Sequence, residues 1–516
     1  MTFVSNLGIA FQEVARQYKN RTALIYPATG ERISYGELNL LVDRITSILW
    51  AKGVRHGQVA AMFHDKSPAA FAAILACHRL GIIYTNLDPD SPWERLRKIL
   101  STCRPSIIIN AFQEMPFGTD LEAGGFQNIL YLREMQALTE DDLLPDCRTI
   151  CGGLPAYIMF TSGSTGVPKG AIMSHANLLW FIAWVQERFS ITPNDVLTNV
   201  NPIYFDNSVF DFYSAIFSGA ALVPITFEQV RDARLLVRLI NDSGCTIWFS
   251  VPSLLVYLLT TRALAASDFP AIRKIIFGGE GFPKTKLSQI YDMFGDRAGL
   301  ENVYGPTECT CICSAYTIST ADFQDMQNLS PLGLLAQNFD FEILPIDEAV
   351  PDFGELFLHG PQVGLGYYND PERTAKAFIQ NPRHSLYPDI GYCTGDLVRK
   401  DAYGRLHFKG RADFQVKHMG YRIELEEIEV ALNTLPDVNE CAVIYQKLGE
   451  GQGQILAFAA TSLTVSPEEL LHKITVIVPR YMVPRRVIIM DLLPKNANGK
   501  IDRIALQTYI DYPGIL

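Results

Sequence analysis

The sequence is poor in charge and has no long apolar run. Charged residues make up 19% of its 516 residues, and the net charge is −11. An acidic balance of this kind argues against nucleic acid as a partner. A membrane helix needs about 18 apolar residues, but the best candidate, "PAAFAAILACHRLGIIY", is interrupted by His78 and Arg79. We therefore expect neither nucleic-acid binding nor membrane insertion.

The sequence also shows no pattern typical of a signal peptide and no cysteine framework, so we expect neither. Its N-terminus has no basic segment followed by an apolar core, and ten scattered cysteines are typical of a reducing cytosol. We expect a cytoplasmic location. Only Cys309, Cys311 and Cys313 cluster, and their alternate spacing predicts a strand with all three on one face. Buried small side chains are favoured there over a metal site, because no second ligand pair accompanies them.

Length and pattern together predict a multidomain α/β protein. A chain of 516 residues is too long for one compact core. Short β-rich runs alternate with longer amphipathic runs, which is the pattern of βαβ units around a largely parallel sheet. The expected strands are 57–63, 105–110, 156–160, 220–225, 246–251 and 274–279, and the expected helices include 68–81, 175–189 and 232–242.

The pattern changes after about residue 410. We predict a charged helix over 422–435 and strands over 440–446 and 455–461. A further helix begins with Ser466 as N-cap, Pro467 at its first position and Glu469 closing a capping box. These features predict a separate α+β domain over residues 413–516, which follows an N-terminal domain over residues 1–412.

A glycine-rich loop, "TSGSTGVPKG" at 161–170, is a candidate phosphate site. Three glycines let backbone N–H groups approach an anion, hydroxyls can bond phosphate oxygens, and Lys169 adds a positive charge. The loop does not fit the Walker pattern, since Pro168 stands where a glycine is required. By itself it is equally compatible with a polar turn between the strand 156–160 and the helix that begins near His175.

The glycine-rich loop is one of eight sequence motifs that together resemble those of the adenylate-forming enzymes. This family comprises acyl-CoA synthetases, luciferases and the amino-acid-activating domains of non-ribosomal peptide synthetases. The resemblance lies in motifs that follow the family's order: "ISYGEL" (33–38), "GIIYTNLDP" (81–89), "YIMFTSGSTGVPKGAIMSH" (157–175), "VYGPTE" (303–308), "GELFLHG" (354–360), "YCTGDLVR" (392–399), "GRADFQVKHMGYRIELEEIE" (410–429) and "NANGKIDR" (496–503). It implies an α/β fold, with a large N-terminal adenylation core of several subdomains and a small mobile α+β C-terminal domain.

The resemblance further implies that a carboxylate is activated with ATP and Mg²⁺. The carboxylate attacks the α-phosphate and expels pyrophosphate, and positive charge must offset the repulsion between the two anions. The implied catalytic residues are Lys500, which bridges the substrate carboxylate and the nucleotide, Glu308, which binds Mg²⁺, and Thr161. The implied ATP-binding residues are Thr161, Ser162, Gly163, Ser164, Thr165, Gly166, Lys169, Gly279, Asn302, Tyr304, Gly305, Thr307, Asp396 and Arg411, with Asp396 accepting from both ribose hydroxyls.

The change of pattern near residue 410 coincides with the family's hinge, and Asp413 matches the hinge position. The resemblance implies that the small domain rotates after adenylation. That rotation would remove Lys500 from the site and admit a thiol nucleophile, so one site serves two reactions in turn.

Asp206, in "YFDNSVFDFY" (204–213), distinguishes amino-acid activators from acyl-CoA synthetases. In amino-acid activators an aspartate at the matching position receives the α-ammonium group of the substrate, and a buried ammonium needs such a partner. A fatty-acid enzyme has no use for that charge. The alternative is that Asp206 only caps the following helix.

The other pocket positions, carried over by the surrounding motifs, are mostly apolar. They are Asn207, Phe210, Phe249, Ile276, Gly278, Val303, Cys311 and Ile312, with Lys500 closing the set. Two phenylalanines, a glycine and a valine favour a branched aliphatic amino acid, isoleucine or valine. Asn207 departs from this pattern, because an amide could hold a hydroxyl or carbonyl group of the substrate.

The chain ends thirteen residues after "NGKIDR", so we expect a separate carrier protein whose 4'-phosphopantetheine thiol receives the product. The D-alanine–carrier protein ligases have this layout, and D-alanine stays open as a substrate. An acyl- or aryl-CoA ligase is the rival within enzymes, and Asp206 argues against it. A nucleotide-binding regulatory module without chemistry would be expected to lack Lys500 or Glu308, and both are present.

Overall fold

The computed structural model describes residues 5–135, 144–347, 349–449, 452–461, 465–496 and 501–511. The chain divides into two compact units. The first unit comprises Met1–Asp88, Cys103–Phe160 and Gly170–Ala412, and the second comprises Pro89–Thr102, Thr161–Lys169 and Asp413–Leu516. The second unit therefore includes the glycine-rich loop as well as the C-terminal residues.

Helices and strands alternate along most of the described chain. In chain order the helices are α1 (Leu7–Gln17), α2 (Tyr35–Ala51), α3 (Pro68–Leu80), α4 (Trp93–Cys103), α5 (Gly118–Ala123), α6 (His175–Arg188), α7 (Asn207–Ile216), α8 (Phe227–Arg231), α9 (Ala233–Ser243), α10 (Pro252–Thr260), α11 (Lys284–Phe294), α12 (Pro371–Ala377), α13 (Leu425–Asn433), α14 (Pro467–Thr475) and α15 (Arg503–Asp511).

The strands are β1 (Thr22–Tyr26), β2 (Glu31–Ser34), β3 (Val59–Phe63), β4 (Ile83–Leu87), β5 (Ile107–Asn110), β6 (Ile129–Tyr131), β7 (Pro155–Thr161), β8 (Lys169–Ser174), β9 (Val196–Asn199), β10 (Ala221–Pro224), β11 (Ile247–Ser250), β12 (Lys274–Gly278), β13 (Gly299–Tyr304), β14 (Ser314–Thr317), β15 (Leu334–Leu335), β16 (Asp340–Pro345), β17 (Phe353–His359), β18 (Phe378–Gln380), β19 (Ile390–Lys400), β20 (Leu406–Arg411), β21 (Gln415–His418), β22 (Tyr421–Glu424), β23 (Val438–Gly449), β24 (Gln452–Thr461) and β25 (Arg486–Met490).

Two large sheets of the first unit are mainly parallel. One has the order β15-β14-β13-β12-β11-β9-β10-β1-β2, and its strands from β1 through β13 along this path pair in parallel. The other has the order β6-β5-β3-β4-β7-β8. A third, antiparallel sheet is formed by β16, β17, β19, β18 and β20. The six strands predicted from apolar runs are all present as β3, β5, β7, β10, β11 and β12, which confirms the α/β prediction.

The second unit has its own apolar core. Strands β23, β24 and β25 form one sheet, and α13 and α14 contribute Ile428, Leu432, Leu470 and Ile474 to the buried cluster beside it. The predicted capping box of α14 is present, with Ser466 accepting from Glu469 N–H and the Glu469 side chain accepting from Ser466 N–H. The strands predicted at 440–446 and 455–461 lie within β23 and β24.

The helix predicted over 422–435 begins later than expected. Residues Tyr421–Glu424 form β22, which pairs antiparallel with β21, and α13 begins only at Leu425. Met419 and Gly420 have φ of 52° and 85°, and two consecutive left-handed residues make the tight turn of a hairpin. The turn therefore fixes a strand where the apolar spacing alone favours a helix.

The strand predicted through Cys309, Cys311 and Cys313 is wrong. All three thiols are buried, but Thr310 and Cys311 have φ of 60° and 72°. Two successive left-handed residues cannot belong to a strand. The chain instead makes one turn of 3₁₀ helix at Thr307–Cys309 and resumes as β14 at Ser314.

Another difference concerns the segment after the glycine-rich loop. The sequence predicts only a helix that begins near His175, whereas in the structure β8 (Lys169–Ser174) lies between the loop and that helix. Helix α6 does begin at His175, with Ser174 as its N-cap. Separately, none of the described helices combines the length and apolar character needed to cross a membrane.

A buried ion cluster joins β12 and β13. The Glu301 carboxylate is fully buried, and it accepts hydrogen bonds from Arg188 Nη2 at 2.7 Å and Lys274 Nζ at 2.6 Å. Thr317 Oγ1 donates to the same carboxylate at 2.9 Å. This pairing satisfies a charge that would otherwise be costly to bury.

We expect Glu301→Gln to lower the free energy of unfolding by about 3–5 kcal/mol, because it leaves two cations without their carboxylate. Glu94→Gln is the control, since the Glu94–Arg97 pair is more than half exposed and such pairs contribute about 1 kcal/mol or less. Urea unfolding measures both. Equal losses in the two variants would contradict the stabilising role of the Glu301 cluster.

Candidate active site

The glycine-rich loop already binds carboxylates within the second unit. Gly163 N–H donates to Glu427 Oε2 at 3.0 Å, and Lys169 Nζ lies 3.5 Å from Glu424 Oε1. Gly166 has φ of 74°, which turns the loop sharply at a position where glycine is favoured. Because carboxylates occupy the loop's amide and ammonium donors, the loop has the chemistry of an anion site.

The two hydroxyls at the start of the loop differ in their hydrogen bonding. Thr161 Oγ1 is buried and has no hydrogen-bond partner among the described residues. Ser162 Oγ donates to Arg422 O at 2.8 Å, so this hydroxyl is hydrogen-bonded to the C-terminal segment. Arg95, which sequence reasoning missed, pairs with Glu427. The Thr161 hydroxyl is therefore a group that a bound phosphate could satisfy.

Asp396, Arg411 and Tyr304, which the sequence predicts to contact the nucleotide, lie together in the first unit. Tyr304 Oη donates to Asp396 Oδ2 at 2.6 Å, and Arg411 Nη1 donates to Asp396 Oδ1 at 2.7 Å. Burial and the neighbouring Asp396 charge both raise the pKa of Tyr304, so its phenol remains a donor. Each carboxylate oxygen keeps a further lone pair, so Asp396 can still accept from a pair of hydroxyls.

Glu308 is fully buried and is held by a residue that sequence reasoning missed. Tyr367 Oη donates to Glu308 Oε1 at 2.7 Å. Tyr367 lies in "GYYND", between two recognised motifs, and no local signal marks it. A carboxylate oxygen is a ligand type that Mg²⁺ prefers, so the side-chain type of Glu308 fits the metal role predicted for it. The described residues include no group of three or more His, Cys, Asp or Glu side chains placed to hold a metal together.

The Asp206 carboxylate is not used as a helix cap. Asp206 stands at the N-cap position of α7, but its side chain accepts no bond from the first N–H groups of that helix. Thr307 Oγ1 donates to Asp206 Oδ2 at 2.5 Å instead. The contact directs the carboxylate toward the "YGPTE" segment and removes the simple capping interpretation.

The predicted pocket residues are brought close together by α7, β11, β12 and β13. The rings of Phe210 and Phe249 lie 4.7 Å apart between centroids. Phe249 is opposite Ile276 in the sheet register. Gly278 packs so tightly on Val303 that a Cβ atom there would lie 2.4 Å from the Val303 carbonyl oxygen. The wall is therefore compact and apolar on this side.

The remaining pocket and loop positions adjoin this wall. A Cβ atom at Gly279 would lie 3.7 Å from Asn207 Nδ2, so the amide reaches the end of β12. Cys311 and Ile312 are buried. A Cβ atom at Gly305 would lie 2.5 Å from Ile312 Cα, so only glycine allows this close approach.

Three further predicted residues are Asn302, Asp413 and Lys500. Asn302 Nδ2 donates to Pro331 O at 2.7 Å, so one of its two N–H groups is already used. Asp413 accepts from Gln415 N–H at 3.2 Å and begins the main segment of the second unit. Lys500 lies outside the described residues, and its role remains a prediction, as do the roles of the other site residues.

Comparison with known proteins gives two matching families. The AMP-binding enzyme family matches residues 11–368, and the AMP-binding enzyme C-terminal domain matches residues 427–500. An L-proline–[L-prolyl-carrier protein] ligase of Pseudomonas fluorescens is 33% identical, over 96% of this chain and 97% of its own length. The dimodular nonribosomal peptide synthase of Bacillus subtilis is 31% identical over 92% of this chain, which covers 20% of that protein.

Solved structures show the same fold in enzymes of different chemistry. A holo non-ribosomal peptide synthetase protein with adenylation and PCP domains superimposes with a TM-score of 0.82 at 24% identity, over 97% of this chain and 84% of that one. The o-succinylbenzoate CoA synthetase of Bacillus subtilis superimposes with a TM-score of 0.85 at 21% identity, over 98% of each chain. These likenesses describe the fold alone.

The loop contacts give a testable expectation. Glu427→Gln removes the negative charge that competes for the Gly163 N–H group, so we expect tighter binding of inorganic pyrophosphate, with a dissociation constant lower by about fivefold or more. Glu429→Gln on the same helix is the control, because Glu429 pairs with Arg503 rather than the loop. Isothermal titration calorimetry measures both variants. Unchanged or weaker binding in Glu427→Gln would contradict the competition.

Proposed function

The chain belongs to the AMP-binding enzyme family, the adenylate-forming ligases, and on that premise we propose that it activates an amino acid as aminoacyl-AMP and transfers it to the phosphopantetheine thiol of a separate carrier protein. The observation that carries the proposal is Asp206, a carboxylate that starts α7 without capping it and precedes the wall residue Phe210 by four positions. Such a carboxylate suits an α-ammonium group and has no purpose in a pocket for a simple fatty acid. The proline ligase relative, similar along its whole length, supports the carrier protein as acceptor.

In the proposed first reaction, the loop 161–170 holds the β- and γ-phosphates, and Asp396 and Arg411 hold the ribose. Glu308 would bind Mg²⁺, which offsets the phosphate charge when present. Lys500 would bring positive charge to the substrate carboxylate as it attacks the α-phosphate. Pyrophosphate leaves and aminoacyl-AMP remains.

In the proposed second reaction, the residues from Asp413 onward rotate about that residue and withdraw Lys500. The thiol of the carrier's phosphopantetheine then attacks the aminoacyl carbonyl carbon, a C–S bond forms, and AMP departs. We place both reactions in the cytoplasm, in line with the scattered cysteines.

The proposed substrate is a branched aliphatic amino acid, isoleucine or valine. Phe210, Phe249, Ile276 and Val303 supply apolar contacts, and among these described wall residues none carries a formal charge. L-Proline is the second candidate, because the full-length relative acts on it. D-Alanine is a third candidate, and an acyl or aryl acid transferred to coenzyme A is a fourth.

The test is amino-acid-dependent ATP–pyrophosphate exchange across glycine, L- and D-alanine, valine, isoleucine, proline, asparagine, phenylalanine and lysine. We expect valine or isoleucine to give the highest kcat/KM, with only about ten- to a hundredfold between them, because one methylene discriminates weakly. A preference for L-proline or D-alanine would replace the substrate assignment. A preference for lysine would mean that the pocket positions were transferred incorrectly, since an unpaired charge is costly to bury.

We expect Asp206→Asn to raise the KM for the amino acid by about a hundredfold, because the buried ammonium loses its carboxylate. The KM for ATP should change far less. Asp211→Asn is unsuitable as a control, because the Asp211 side chain is itself hydrogen-bonded in the interior. The control variant is therefore Asp232→Asn, at an exposed position. Steady-state exchange kinetics measure both constants, and a KM for the amino acid that stays at the wild-type value would refute the role of Asp206.

We expect Lys500→Ala to slow adenylation by about a hundredfold or more, since the change removes a charge directed at the transition state. Thioester formation from supplied aminoacyl-adenylate should be spared, because Lys500 would have left the site by then. Lys495→Ala is the nearby control. Near-normal pyrophosphate exchange in Lys500→Ala would overturn the assignment.

A further inference from the structure

A buried cation lies behind the proposed pocket wall, and the proposed chemistry does not use it. Lys66 is almost fully buried, and its Nζ atom donates to the carbonyl oxygens of Asn199, Asn201 and Ile225 at 2.7, 2.9 and 2.7 Å. Asn199 ends β9, and Ile225 directly follows β10. The ammonium therefore ties together the carboxyl ends of two neighbouring parallel strands, the edge at which α/β sheets place their ligands.

A buried carboxylate on α7 completes the arrangement. Asp211 is fully buried, and its Oδ2 atom accepts from the side-chain amides of Asn199 and Asn201, both at 3.0 Å. The two asparagines thus bridge the charges, with backbone oxygens on Lys66 and amide groups on Asp211. Burial lowers the pKa of Lys66 and raises that of Asp211, while the opposite charge of each acts against the shift of the other.

The bridge reaches the pocket wall directly. Asn201 Nδ2 also donates to the carbonyl oxygen of Phe249 at 3.2 Å. Asp211 immediately follows Phe210 on α7, the helix that begins after Asp206. The network therefore holds both the helix that carries Asp206 and Phe210 and the strand that carries Phe249, whose ring contacts that of Phe210.

We infer that Lys66 and Asp211, acting through Asn199 and Asn201, are positioning residues that set the amino-acid selectivity of the enzyme. This inference rests on the proposed function. Neither residue touches the substrate. The network fixes the separation of α7 from the ends of β9 and β11, and thereby the depth of the pocket between Asp206 and the two phenylalanine rings. A displacement of about 1 Å at such a wall is enough to change kcat/KM by up to a hundredfold.

The same sheet offers a matched control. Asp195 is buried just before β9 and pairs with Arg273, which lies just before β12. This pair joins the opposite, amino ends of the strands. The Asp195 carboxylate accepts hydrogen bonds from Thr192, Thr246 and Arg273, and none of these is a pocket residue. The pair resembles the network in its buried carboxylate and its cation, although the Arg273 side chain is one-third exposed, and it has no link to the pocket.

The experiment compares Lys66→Met/Asp211→Asn with Asp195→Asn and with wild type. The double variant removes both charges together, because removal of one would strand the other in the interior. We expect its KM for the preferred amino acid to rise by about tenfold or more, and its ratio of kcat/KM between valine and alanine to change by a similar factor. The KM for ATP should stay within about twofold of the wild-type value, and Asp195→Asn should lose stability while keeping the wild-type amino-acid ratio.

Two further variants separate positioning from folding. Lys66→Arg keeps a cation with hydrogen-bond donors at this position, and we expect this variant to retain the wild-type selectivity. Asn201→Ala keeps Lys66 and Asp211 but removes the side-chain bonds of Asn201 to Asp211 and to the Phe249 carbonyl oxygen, so it should shift the selectivity in the same direction as the double variant, even if the double variant fails to fold. Unchanged selectivity in Asn201→Ala, or the same shift in Asp195→Asn, would overturn the inference. Failure of the proposed function is distinguishable, since wild type would then show no amino-acid-dependent exchange.

Discussion

A charge buried between apolar sheets has to be paired, and this constraint organises the polar interior of the first unit. Glu301 is paired by two cations, Asp195 by Arg273, and Asp396 by Arg411 and the Tyr304 phenol. Each arrangement satisfies a carboxylate that water cannot reach. Asp206 is half-buried and accepts from the neutral Thr307 hydroxyl, and in the proposed function the ammonium group of the substrate binds to this carboxylate.

The fold could be read from the sequence wherever apolar period and motif agreed. The buried strands β3, β5, β7, β10, β11 and β12 and the capping box at Ser466 followed from local chemistry alone. The hairpin at Met419 and the left-handed pair Thr310–Cys311 did not, because non-glycine residues at positive φ leave little sequence signal. The late start of α13 is a direct result of that hairpin.

The residues of the candidate site also fall into those that the sequence predicted and those that it did not. Asp206, Glu308 and Asp396 stand in recognisable motifs, and the structure gives Glu308 and Asp396 buried positions. The residues that contact the site from distant segments were not predicted. Tyr367 donates to Glu308, and Arg95 pairs with Glu427, the carboxylate that binds the glycine-rich loop. Long-range contacts of this kind depend on how the elements pack, so no local pattern could predict them. The Lys66–Asp211 network was hidden for the same reason, because its asparagine bridges join separate elements.

Fold alone does not decide between a carrier-protein ligase and a CoA ligase, since both kinds of neighbour superimpose about equally well. The deciding feature is whether the substrate carries an ammonium group for Asp206. The most direct measurement compares ATP–pyrophosphate exchange by the wild-type enzyme with valine and with its des-amino analogue, 3-methylbutanoate. We predict a kcat/KM for valine that is greater by about a hundredfold or more, whereas equal or better turnover of 3-methylbutanoate would contradict the role given to Asp206.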